Sequence, residues 1–170
     1  MLFAEMKRAT DFDNQVILFN IDSRADPSEG RGAILSVLWK VFNEMRGFCP
    51  DYPYIAEIEK YLADKGYYWE FCEAFRDIVG EEWTQERDAF DLYEDEVVQA
   101  LSRVLNKSEE KTSQWIQTLR QEFSITVEGF AKRVREYLDS FQDNKKIYFL
   151  LDEVGQFIGS DTKLMLNLQT

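Results

Sequence analysis

Lys146-Ile-Tyr-Phe-Leu-Leu-Asp-Glu153 decides how this chain is read. Four bulky residues, Tyr148 to Leu151, run without polar interruption and then meet two acids. A short continuous apolar run suits a strand buried within a sheet that carries helices on both faces. Such a strand delivers Asp152 and Glu153 at its C-terminal end, where α/β sheets place their ligands. A second run of this kind, Gln15-Val-Ile-Leu-Phe-Asn-Ile21, lies far upstream. A polar loop comes after it, Asp22-Ser-Arg-Ala-Asp-Pro-Ser-Glu-Gly30. The expectation is two parallel strands, each covered on both faces.

Everything between the two runs reads as helical. Ile34, Leu35, Leu38, Phe42 and Met45 recur at helical spacing and stop at Gly47 and Pro50. Ile55, Ile58 and Leu62 mark a helix from Pro53 to near Gly66, and Tyr68, Phe71, Cys72, Phe75 and Val79 mark one closed by Gly80. A strongly acidic helix is expected over 87–106, with Phe90, Tyr93, Val97, Leu101 and Val104 or Leu105 inward. Ser108 can cap the next helix, carrying Trp115, Leu119 and Phe123, and Thr126 the last, carrying Phe130, Val134, Tyr137, Leu138 and Phe141.

The crossover between the strands exceeds 120 residues, whereas a βαβ unit needs about 30. The excess predicts a helical insertion at 49–123, mounted on a frame made of 1–48 and 124–170. The fold class is therefore α/β and mostly helical, a partial sheet of two parallel strands with a large helical insertion. The chain stops inside an apolar pattern, Leu164-Met-Leu-Asn-Leu-Gln-Thr170, which reads as a boundary within a longer protein.

Composition narrows the chemistry. Apolar residues make up 45% and aromatic residues 15% of the 170 positions, a globular balance. Asp and Glu number 32 against 20 Lys and Arg, a net charge of −12. That charge repels phosphate backbones and makes this segment a poor candidate for DNA binding. There is no His, which removes His triads, His metal sites and His acid–base chemistry. Cys49 and Cys72 lack CxxC spacing; a disulfide between them has little support, and Cys72 reads as a small core residue. The start lacks the order of a signal peptide, and no run approaches the ~20 apolar residues of a membrane span. A soluble, cytoplasmic chain without a membrane partner is expected.

Four bulky apolar residues followed by Asp-Glu form the Walker B pattern. In that role Asp152 holds Mg²⁺ and Glu153 polarises the attacking water. The same pattern also arises from an ordinary strand end, where acids cap the next helix. The companion motif, GxxxxGK(S/T), is missing; the nearest run, Gly30-Arg-Gly32, lacks the Lys and the hydroxyl.

Asp152-Glu-Val-Gly-Gln-Phe-Ile-Gly159 with Thr162-Lys-Leu-Met-Leu-Asn-Leu-Gln-Thr170 resembles the Walker B region of the large P-loop ATPases of BREX phage-defence systems, the BrxC and PglY type. Val16-Ile-Leu-Phe-Asn-Ile-Asp-Ser-Arg24 is similar to the strand that comes after the first helix of that domain. The resemblance implies an internal piece of a much longer AAA-like ATPase whose Walker A loop precedes Met1. ATP and Mg²⁺ would serve the full-length protein, with none expected on this chain alone. The implied partners are other subunits of the defence complex or further copies. By carry-over, Asp152 is the metal acid and Glu153 the catalytic base. Asp22, Ser23 and Arg24 leave the neighbouring strand at the same sheet edge and are candidates for the nucleotide side; Gln156 is a weaker one.

A competing reading makes the chain a non-enzymatic helical interaction module whose strands are scaffolding. The aromatic stripes of the insertion then serve mainly as core, with Trp69, Trp83 or Trp115 as the candidate for docking a partner. The acidic run 88–96 reads as a solvated face. Two strands alone are marginal, so the pair must lean on helices or pair across chains.

Overall fold

The structure, a computed structural model, describes residues 14–21, 32–141 and 145–153. It is mostly helical with a small two-stranded parallel sheet. Strand β1 (Asn14–Asn20) is followed by α1 (Ala33–Met45), α2 (Pro53–Lys65), α3 (Tyr68–Val79) and the single turn α4 (Trp83–Glu86). A 3₁₀ segment (Arg87–Leu92), α5 (Glu94–Leu105), α6 (Glu109–Glu122), α7 (Val127–Asp139) and strand β2 (Lys146–Asp152) complete the order. The chain divides into two compact units, Met1–Met45 with Ile125–Thr170, and Arg46–Ser124. The second spans the stretch read above as the insertion. Among the described residues no helix is long and apolar enough to cross a membrane.

In the strand-bearing unit, β1 and β2 pair parallel, Ile17 opposite Phe149 and Phe19 opposite Leu151. Ile17, Phe19 and Ile21 are buried with Ile34, Val37 and Val41 of α1, and Ile147, Phe149 and Leu151 pack against them. Helix α7 covers the same side. Its Phe130 ring lies 5.8 Å from Phe149, 5.8 Å from Phe42 and 6.2 Å from Trp39. Burial on the strands alternates instead of running continuously. Val16, Leu18, Tyr148 and Leu150 are exposed, Leu18 at 72%. The expectation of strands covered on both faces is thus corrected: α1 and α7 both pack on one face, and an unbroken apolar run cannot distinguish that arrangement from a two-sided one.

The unit Arg46–Ser124 has its own core, centred on Ile55, Ile58, Leu62, Phe71, Phe75, Trp83, Phe90, Val97, Leu101 and Ile116. Edge-to-face contacts of Trp83 with Phe71 at 5.1 Å and Phe75 at 5.2 Å lock α3 to the α4 turn. Gly66 (φ 77°) and Gly80 (φ 87°) end α2 and α3 in the left-handed region, where a Cβ would be strained. Thr126 accepts from Gly129 N at 3.0 Å and caps α7. Ser108 holds the N-cap position of α6, but its side chain makes no cap bond.

One helix boundary differs from the sequence pattern. Residues 87–92 wind as a 3₁₀ segment with Ala89 at φ −103°, ψ 25°, and the α-helix begins only at Glu94. The tighter winding turns Arg87 toward Gly47 O (2.8 Å) and Glu59 Oε1 (3.1 Å) and sends Phe90 into the core. Glu94, Asp95 and Glu96 then occupy the first turn of α5, where the helix dipole favours negative charge.

Candidate functional site

The C-terminal edge of the sheet brings three polar side chains together. Asn20 ends β1 and stands opposite Asp152 in the parallel register. Ile21 N donates to Asp152 O at 3.2 Å, which extends the pairing past the last strand residue. Asn20 Nδ2 donates to Glu153 Oε2 across this edge. Glu153 N donates to Asp152 Oδ1 at 2.9 Å. Glu153 is therefore held at its backbone by Asp152 and at its carboxylate by Asn20. Both acids are solvent-exposed, and Asn20 is half-buried.

Glu153 has φ 58°, in the left-handed region. A non-glycine residue held there costs about 1–3 kcal/mol, and such residues gather at functional sites. The hydrogen bond from Glu153 N to Asp152 offsets part of that cost.

The donor set suits a hard cation. Among the described residues no group of three or more His, Cys, Asp or Glu converges to hold a metal. Mg²⁺ binds through one or two carboxylates and completes its octahedron with water and phosphate oxygens. An aspartate with an adjacent glutamate, both open to solvent, fits that mode and not a closed protein cage. Asp152 Oδ1 accepts one backbone bond, and the carboxylate keeps lone pairs for a cation.

Asp22, Ser23, Arg24 and Gln156 lie outside the described residues. Asn20 is the polar residue that the sequence pattern passed over. It sits in the apolar run of β1 and reads locally as a strand position, although a polar residue closing such a run is itself a signal. A groove of about 300 Å³, lined by Val16–Phe19, Val41, Glu44 and Met45, lacks the two acids.

A second carboxylate cluster is structural. Glu59 is fully buried and accepts from Cys49 N, Trp83 Nε1 (2.8 Å), Arg87 Nη1 (3.1 Å) and Tyr68 OH (3.3 Å). Burial raises its pKa, against the Cys49 amide and Arg87, which hold it down. Four donors from this unit converge on a fully buried carboxylate, which ties the cluster to the core. Cys49 is buried and Cys72 half-buried, both free, so no disulfide joins them. Burial pushes the Cys49 thiol up to about 12 and that of Cys72 to about 11. Of the three tryptophans singled out, Trp83 is buried, Trp115 is half-buried against Tyr61, and Trp69 is 69% exposed.

No family model matches the chain, and no solved structure matches it.

Proposed function

We propose that this chain contributes the Walker B acids of a P-loop, AAA-like ATPase, within a longer cytoplasmic protein of bacterial phage defence. The observation that carries the reading is the acid pair at the C-terminal end of β2, with Asn20 of the adjacent parallel strand bound to Glu153. Asp152 would hold Mg²⁺, whose charge offsets that of the nucleotide phosphates. Glu153 would accept the proton of the attacking water, with Asn20 fixing its carboxylate. The phage-defence setting rests on the resemblance of the stretches 16–24 and 152–170 alone. Other subunits of the defence complex or further copies of the protein are the proposed partners.

The sequence has no GxxxxGK(S/T) segment, so the 170 residues alone should neither cradle phosphates nor turn over ATP. Millimolar Mg²⁺ and ATP should leave the thermal midpoint of this chain unchanged. Joined to an upstream GxxxxGK(S/T) segment, the protein should hydrolyse ATP, and Asp152→Asn should abolish that activity. A clear stabilisation of the isolated chain by ATP, or full activity of Asp152→Asn in the joined protein, contradicts the proposal.

The runner-up reading, a non-enzymatic helical interaction module, is favoured by one observation: the exposed outer face of α3 around Trp69.

A further inference from the structure

The unit Arg46–Ser124 holds 18 Asp and Glu against nine Lys and Arg, so −9 of the net −12 falls within it. Helix α3 buries Phe71, Ala74 and Phe75 and turns the opposite side outward. On that side Trp69 is 69% exposed, with Tyr67 at 42% beside it. Glu73 lies one turn on from Trp69, and Glu70, Glu73 and Asp77 recur at helical spacing, all exposed. A groove of about 330 Å³ runs along them, lined by Glu70, Glu73, Ala74, Asp77, Arg103 and Val104. Its apolar lining comes from Ala74 and Val104, its charge from three carboxylates and one guanidinium.

We propose that this face of α3 docks a basic segment of a partner polypeptide. A Lys or Arg side chain would lay its stem over Ala74 and Val104, place its cation among Glu70, Glu73 and Asp77, and bring neighbouring apolar residues onto Trp69. The chain's own Arg103 already illustrates the fit, with Nη1 3.5 Å from Asp77. That pair is exposed at both ends, at 63% and 60%, so it is weakly held and readily exchanged for an incoming cation. The occupant is argued from charge: a carboxylate rim in a unit of net charge −9 repels phosphate backbones and anionic lipid headgroups and attracts cationic peptide. Trp69 supplies the aromatic anchor that most often carries the energy of such contacts. The inference stands apart from the ATPase reading and holds or fails without it.

The test uses the full 170-residue chain and a fluorescein-labelled amphipathic peptide with Arg at every third or fourth position, at physiological ionic strength, read by anisotropy. Trp69→Ala and the pair Glu70→Lys/Glu73→Lys should each weaken binding by at least about tenfold. The milder Glu70→Gln/Glu73→Gln pair should weaken it in the same direction, with circular dichroism unchanged. The equal charge change Asp95→Lys/Glu96→Lys, about two turns before Arg103 on α5, should alter it by less than about twofold. Equal losses from both lysine pairs would show attraction to net charge alone and overturn the proposal. So would undiminished binding of the same peptide with every Arg replaced by Gln.

Discussion

Asn20, at the end of the first strand, donates its side-chain amide to the carboxylate of Glu153, which lies 133 residues further along the chain. The bond spans the two parallel strands at the edge where Asp152 and Glu153 emerge, and it gives Glu153, the proposed catalytic base, a positioning partner. In a protein joining this chain to an upstream GxxxxGK(S/T) segment, Asn20→Ala should lower kcat for ATP by about tenfold, with KM within about twofold. The stability of the chain should change by less than about 1 kcal/mol, since the bond is exposed. Steady-state kinetics with chemical denaturation checks both, and an unchanged kcat removes Asn20 from the site.

Glu59 is a buried charge whose value lies in its partners. Removing it leaves the Arg87 guanidinium, the Trp83 N–H and the Cys49 amide without their shared acceptor. Glu59→Ala should destabilise the chain by about 3–5 kcal/mol. Urea titration measures the loss, and a change below about 1 kcal/mol would show that the cluster relaxes without it.

The same unit shields its thiols. Cys49 is fully buried with a pKa of about 12, and Cys72 is half-buried with a pKa of about 11. At pH 8 the thiolate fraction is about one in ten thousand for Cys49 and about one in a thousand for Cys72. The sign is direct: raising the pH towards these values increases reactivity, and lowering it suppresses reactivity further. Iodoacetamide at pH 8 should label both slowly in the folded protein and rapidly in urea, as read by mass spectrometry. Fast labelling of native Cys49 contradicts its burial.

Much of this architecture was legible because its signals are local. The run Gln15–Ile21 and the run before Asp152 both formed strands, and Gly66, Gly80 and Thr126 ended or began helices where their backbone or side-chain chemistry required. The features that escaped depend on distant contacts. Residues 87–92 show the apolar spacing of a helix, yet Arg87 winds the segment more tightly to reach Glu59, 28 residues away. Glu59 itself carried a readable sign, because it falls with Ile55 and Leu62 on the buried side of α2. An acid on an apolar stripe demands partners. Asn20 and Glu153 meet only through strand pairing, which no local pattern encodes.

The two faces of the sheet should respond differently to truncation. Phe19 is 5% exposed against α1, so Phe19→Ala should cost about 3–5 kcal/mol. Its neighbour Leu18 is 72% exposed, and Leu18→Ala should cost less than about 0.5 kcal/mol. Thermal or urea unfolding of the two variants compares them directly, and equal losses would mean that the outer face is covered in solution.

The most direct measurement is single-turnover ATP hydrolysis by the protein that joins this chain to a GxxxxGK(S/T) segment, wild type against Glu153→Gln. Removing the proposed general base should slow hydrolysis by at least about 100-fold while ATP remains bound. Hydrolysis at the wild-type rate in Glu153→Gln would contradict the assignment of this strand end as a catalytic site.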